Sequence, residues 1–89
     1  MNISINTLQE FVDHHLQVAW GMVEKSEIWY RNSEWTMTRE EYPEDNTANF
    51  YMSRDNDGYT VMIATKPIFE NDFCQEAKVL DYLEVDLVR

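Results

Sequence analysis

The spacing of apolar positions changes along this chain, and each change predicts a different element. Leu8, Phe11, Val12, His15, Ala19, Met22 and Val23 recur at three- and four-residue steps, with Glu10, Asp13, His14, Gln17, Gly21 and Glu24 opposite them. That is the stripe of an amphipathic helix, with Trp20 at its edge. Thr7-x-x-Glu10 has the capping-box pattern, so the spacing predicts a helix over about residues 7–25. The period then drops towards two. Ile28, Trp29 and Tyr30 are strand formers, and Trp35 and Met37 alternate with Glu34, Thr36 and Thr38. Asn32-Ser33 offers a turn between two short strands. Continuation of the first helix to Arg31 is the competing reading.

Pro43 and the polar run Glu44 to Thr47 mark a loop. Asn49 to Arg54 and Tyr59 to Lys66 are then β-rich and joined by Asp55-Asn56-Asp57-Gly58. This is a hairpin over 49–66, because Gly tolerates positive φ and Asp and Asn brace turns with their own side chains. Tyr59, Val61 and Ile63 share one sheet face, as do Phe50 and Met52 on the partner strand, and Pro67 ends the second strand. Asp72-x-x-Gln75 repeats the capping pattern, and Phe73, Ala77, Leu80, Leu83 and Leu87 follow at helical steps. The spacing predicts a C-terminal helix over about 72–83. Leu83, Val85 and Leu87 also alternate with Glu84 and Asp86, which leaves 84–89 open between helix and strand.

The expected fold is α+β: a small antiparallel β-sheet of three to four strands, including hairpin 49–66, with an N-terminal helix (7–25) and a C-terminal helix (72–83) packed on it. Two Gly, two Pro and no repeat or low-complexity stretch in 89 residues argue for one domain over 1–89.

Charge changes the picture more than composition does. Seventeen Asp and Glu stand against seven Lys and Arg, for a net charge of −10. Aromatics at 13% separate the chain from disordered acidic tails, so a packed interior carries an acidic exterior. Such a surface disfavours direct contact with nucleic acid or anionic lipid and attracts basic surfaces. Twelve of the seventeen carboxylates fall in two windows. Glu40, Glu41, Glu44, Asp45, Asp55 and Asp57 face only Arg54, and Glu70, Asp72, Glu76, Asp81, Glu84 and Asp86 face only Lys78. A chain of this length has a diameter of roughly 30 Å, over which duplex DNA carries on the order of 18 phosphates, about half of them on one side. The acidic excess is comparable to that, which permits DNA mimicry; a solvated surface that only keeps the protein soluble is the plain alternative.

Candidate chemistry is sparse. Cys74 is the single cysteine, so no internal disulfide forms, which suits a reducing compartment. Beside Phe73 it reads as packing rather than as a nucleophile. The N-terminus lacks the pattern of a signal peptide and no run reaches the length of a membrane span, so a cytoplasmic location is expected. Asp55-Asn56-Asp57-Gly58 resembles the middle of a calcium loop, yet the twelfth position would be Ala64 where a bidentate Glu is required. Adjacent His14 and His15 point about 100° apart on a helix and do not chelate one ion together. His15 lies on the apolar stripe as a core histidine. No nucleotide, zinc or catalytic motif is present, so no enzyme activity, metal or cofactor is expected.

In size and acidity the chain resembles small phage-encoded inhibitors and bacterial toxin-immunity proteins, a likeness of composition that assigns no residues. The expected function is a non-enzymatic binding protein that inhibits a basic, nucleic-acid-handling enzyme or toxin. Its contacts would come from Glu40, Glu41, Glu44, Asp45, Asp55 and Asp57, from Asp72, Glu76 and Glu84, and from Tyr42, Tyr51 and Tyr59. The alternative is a structural homo-oligomer, such as a homodimer, whose aromatics pair across a two-fold interface.

Overall fold

Ser4 starts the first element. Its Oγ accepts from the Thr7 backbone N–H at 3.1 Å and its carbonyl from Leu8 at 3.1 Å, so Ser4 rather than Thr7 caps the helix. The computed structural model describes residues 3–18 and 25–85. Helix α1 spans Ile5–Val18 and buries Leu8, Val12 and His15. The predicted extension through Ala19, Met22 and Val23 lies outside the described residues.

Five strands follow: β1 (Lys25–Tyr30), β2 (Ser33–Tyr42), β3 (Thr47–Arg54), β4 (Thr60–Glu70) and β5 (Phe73–Val85). They pair in chain order as one antiparallel meander, with a short 3₁₀ turn, Pro43–Asp45, between β2 and β3. Helix α1 lies across one face of this sheet, chiefly against β5 and more lightly against β1. Trp35, Met37, Phe50, Met52, Val61 and Ile63 fill the space between helix and sheet.

Three sequence expectations are corrected. The sheet has five strands, not three to four. Residues 72–83 form no helix: 73–85 is the longest strand of the sheet, which also settles Glu84 and Val85 as strand. Residues 86–89 lie outside the described part. Pro67 does not end β4, which continues to Glu70. Pro67 pairs with Ala77 of β5, while β3 pairs with β4 only as far as Ala64. The side of Pro67 towards β3 therefore needs no N–H, and the residue is tolerated as on an edge strand.

The reason for the missed strand is specific. Two register shifts place two β5 residues against one of β4, leaving Gln75 and Leu80 as extra residues. Each bulge breaks the period of two. The buried positions become Cys74, Ala77 and Val79, with Tyr82 half-buried, at steps of three, two and three. The stripe read as helical, Phe73, Ala77, Leu80, Leu83 and Leu87, instead mixes exposed Phe73, Leu80 and Leu83 with buried Ala77. The turn before β5 was misread for a related reason. Asn71 and Asp72 have φ of 54° and 67°, the double positive φ of a two-residue type I′ hairpin. Arg31 and Asn32, at 52° and 60°, make the same turn between β1 and β2, one residue ahead of the predicted Asn32-Ser33. Replacing Asp72 with Gly relieves a left-handed position at an exposed site, and urea unfolding should show a gain of about 0.5–1 kcal/mol.

The outer edge of β5 is tied to the helix. The Gln9 amide donates to the Ala77 carbonyl at 2.9 Å and accepts from the Val79 N–H at 2.8 Å. Gln9 thereby answers the strand's unpaired backbone as a neighbouring strand would.

Candidate functional site

Alternation along each strand sorts the side chains onto two faces. Under the helix lies a buried polar chain. His15 Nδ1 is 2.8 Å from Ser26 Oγ and its Nε2 is 3.4 Å from the Arg39 guanidinium. Arginine can only donate, so Nε2 accepts and Nδ1 carries the proton of a neutral ring. Burial, with Arg39 and then His14 adding to it, holds the His15 pKa down to about 4. Arg39 reaches Glu41 at 3.5 Å, and Glu41 also accepts the Cys74 backbone N–H at 3.0 Å. Glu41, expected on the acidic surface, is therefore turned towards the helix side and paired. Cys74 is buried, and burial together with Glu41 pushes its thiol up to about 11, so it stays protonated and unreactive near neutral pH.

The opposite face of the sheet has no covering layer among the described residues. Pairing rows run straight across it, such as Lys25, Thr38, Tyr51, Met62 and Leu83. Its β1–β3 half is acidic and aromatic. The hairpin brings Glu27 of β1 close to Glu34 of β2, and Asp55 arrives from the β3–β4 turn, where its N–H donates to the Glu34 carbonyl at 3.0 Å and its carboxylate accepts from Thr36 at 2.9 Å. The Glu27 carboxylate, through its charge and a side-chain hydrogen bond, and then Asp55 raise the Glu34 carboxyl above its ordinary range, the mark of negative groups crowded together. Trp29, 71% exposed, stands beside them, and a depression between Trp29, Glu34 and Asp55 opens at this corner. Of the basic residues of these three strands, Arg39 and Arg54 turn to the helix side and Lys25 lies on the open face.

Of the twelve residues singled out from sequence, the fold assembles one clear group. Glu40 accepts from the Tyr42 hydroxyl at 3.1 Å. A hydrogen bond to the same carboxylate, with burial behind it, pushes the Tyr51 phenol up to about 12. Glu44 lies close enough to add to the raised pKa of Tyr42, and Asp45 follows in the same 3₁₀ turn. Others are scattered. Asp57 is held by Arg54 in a two-point contact at 3.0 and 2.7 Å. Tyr59 stacks edge-on against Trp35, and burial and then Glu84 push its phenol up to about 12. Asp72 sits in the β4–β5 turn and Glu76 beyond it on β5, both apart from the β1–β3 corner.

Sequence reasoning missed Glu27 and Glu34, which fall outside both acidic windows. The available signal was the alternation itself, because residues opposite across a short hairpin share a face. Among the described residues no group of three or more His, Cys, Asp or Glu is placed to hold a metal ion, and no helix is long and apolar enough to cross a membrane. No family model matches the chain, no curated protein matches it, and no solved structure does.

Proposed function

We propose that the protein is a non-enzymatic binding module that captures a basic protein on the β1–β3 half of its open sheet face. The observation that carries this reading is the crowding of Glu27, Glu34 and Asp55 beside exposed Trp29, where like charges already raise the Glu34 carboxyl. A lysine- or arginine-rich surface relieves that repulsion, and an exposed indole adds apolar and cation–π contact. The Glu40, Tyr42 and Tyr51 group extends the same face towards Glu44 and Asp45. An enzyme or toxin that handles nucleic acid offers such a basic surface, and occupying it would inhibit that protein. A reducing cytoplasm is the compartment that suits the single buried thiol.

Immobilised wild-type protein and a Glu27→Gln/Glu34→Gln variant, challenged with host lysate, test this. The wild type should retain a basic protein that is released as salt is raised, since screening weakens exposed charge contacts. The variant should bind the same protein about tenfold more weakly. Equal retention by both, or release that ignores salt, rejects the reading.

A further inference from the structure

Beyond the Leu80 bulge the polarity of β5 runs against the rest of the sheet. Leu83, 60% exposed, pairs with Met62 and stands on the open face, as does Val85 opposite Thr60. Glu84 pairs with Val61, which is 1% exposed, so a carboxylate takes the helix side while a leucine faces out. Tyr82, opposite buried Ile63, is only half-buried. Before the bulge the order is the expected one: Ala77 and Val79 turn in, and Glu76 and Lys78 turn out. The inversion starts at one place, where Ala64 pairs with Asp81 and Thr65 with Val79, leaving Leu80 without a partner.

A strand has a period of two, so moving a segment by one residue exchanges its two faces. If the Leu80 bulge closed, Leu80 would take Ala64 as its partner, and the register that pairs Lys66 with Lys78 would continue to the end of the strand. Leu83 would then meet Val61, and Val85 would turn inward. Tyr82 would meet Met62 and Glu84 would meet Thr60, both on the open face. Leucine and valine surface would leave water, which favours the closed form. One residue opposes it: Asp81 would move to the helix side opposite Ile63, which is fully buried, and a carboxylate is costly there. In the bulged form Asp81 is exposed, and its Oδ1 accepts the Tyr82 N–H at 2.8 Å. Such a bond from a side chain to the next backbone group competes with a regular ladder.

We propose that β5 beyond Val79 has two registers, that Asp81 holds it in the bulged one, and that closing the Leu80 bulge exchanges Leu83 and Val85 for Tyr82 and Glu84 on the open face. The segment is then a bistable element within a fixed fold. One register presents an apolar surface at this end of the sheet, the other a phenol and a carboxylate. A ligand that binds Tyr82 and Glu84 would draw β5 into the second register, since it interacts with that state alone. The corner formed by Trp29, Glu27, Glu34 and Asp55 lies away from β5, so the switch does not depend on the proposed capture of a basic partner.

Cross-strand NOE contacts read the register directly, with circular dichroism to verify the strand signal of each variant. The wild type should show Leu83 against Met62. Asp81→Val removes both the bond to Tyr82 and the polar group that the closed register would bury. It should turn the equilibrium about tenfold or more towards Leu83 against Val61 and Tyr82 against Met62. Asp81→Asn keeps an acceptor and a polar side chain, and should stay bulged. Deleting Leu80 from the Asp81→Val variant leaves a regular ladder with no extra residue, and should return Leu83 to Met62. Relaxation dispersion on the wild type follows the same equilibrium without a substitution: millisecond exchange should appear at Leu83 and Glu84 and vanish when Leu80 is deleted. An Asp81→Val variant that keeps Leu83 on Met62, an Asp81→Asn variant that slips as far, a deletion variant that slips regardless, or a wild type with no such exchange overturns the proposal. None of these results touches capture of a basic protein by the β1–β3 corner, which the lysate experiment tests by itself.

Discussion

Acidification from neutral pH to about pH 4 should cost the fold about 3 kcal/mol through His15 alone. In the unfolded chain the imidazole titrates near its ordinary value of about 6.5, whereas in the fold it holds no proton until about pH 4. Between those values the unfolded state binds more protons. The stability due to the depressed pKa is complete above about pH 6.5 and is lost as the pH falls towards 4. The groups around the ring explain the shift. Ser26 occupies Nδ1, the Arg39 guanidinium faces Nε2, and Phe50 packs edge-on at 5.8 Å. A second proton would point at a buried cation. Protonation of the many carboxylates also alters stability over this range, so the comparison to make is with His15→Gln, which does not titrate. The variant should be less stable than wild type at pH 7, and the gap measured by urea unfolding should narrow by about 3 kcal/mol at pH 4. A gap that stays constant with pH would contradict the assignment.

Trp35→Ala should destabilise the protein by about 3–5 kcal/mol, a large part of the stability of roughly 5–15 kcal/mol typical of domains. Trp35 is 1% exposed and is the largest fully buried side chain. Its ring stacks edge-on with Tyr59 at 6.2 Å, and Arg54 lies over both rings at 5.6 and 5.2 Å while Asp57 holds the guanidinium from outside. Removing the indole therefore leaves a cavity and also frees the cation that closes this end of the core. Trp35→Phe keeps most of the volume but removes the Nε1–H that donates to the Tyr30 carbonyl at 3.2 Å. That variant should lose about 1–2 kcal/mol. Denaturant midpoints with unchanged slope would separate the two substitutions. Equal losses for Ala and Phe would mean that the hydrogen bond, not the packed volume, is what the site contributes.

The sequence was legible where one short-range signal governed the structure. The strands flanking Asp55 to Gly58 pair as a hairpin because turn chemistry and alternation agree there. His15 reads as a core residue because its position on the helical stripe outweighs its polarity. The C-terminal third was illegible because both of its signals were mimicked. Asn71-Asp72 is a turn whose second residue doubles as a plausible helix cap. The bulges at Gln75 and Leu80 then break the strand's period of two, and exposed Phe73, Leu80 and Leu83 fall at helical steps with buried Ala77. A bulge is fixed by pairing with another strand, which no local window contains. The acidic site failed to show for the same reason. Glu40 and Tyr42 are two residues apart and were found together, whereas Glu27 and Glu34 meet only once β1 folds back on β2. Glu41, one position from Glu40, was assigned to the surface because a linear window does not see which side of a strand a residue takes.

Gln9 has a consequence for how such chains can grow. A strand arriving at β5 would have to evict the glutamine amide and match a backbone twice thrown out of step, so that border is closed to recruitment. Among the described residues the β1 border has no such glutamine bridge, and charges such as Lys25 and Glu27 flank it. With one border barred, stacking by strand addition stops after two molecules join β1 to β1, and the endless ribbon that leads to fibres has no way to propagate.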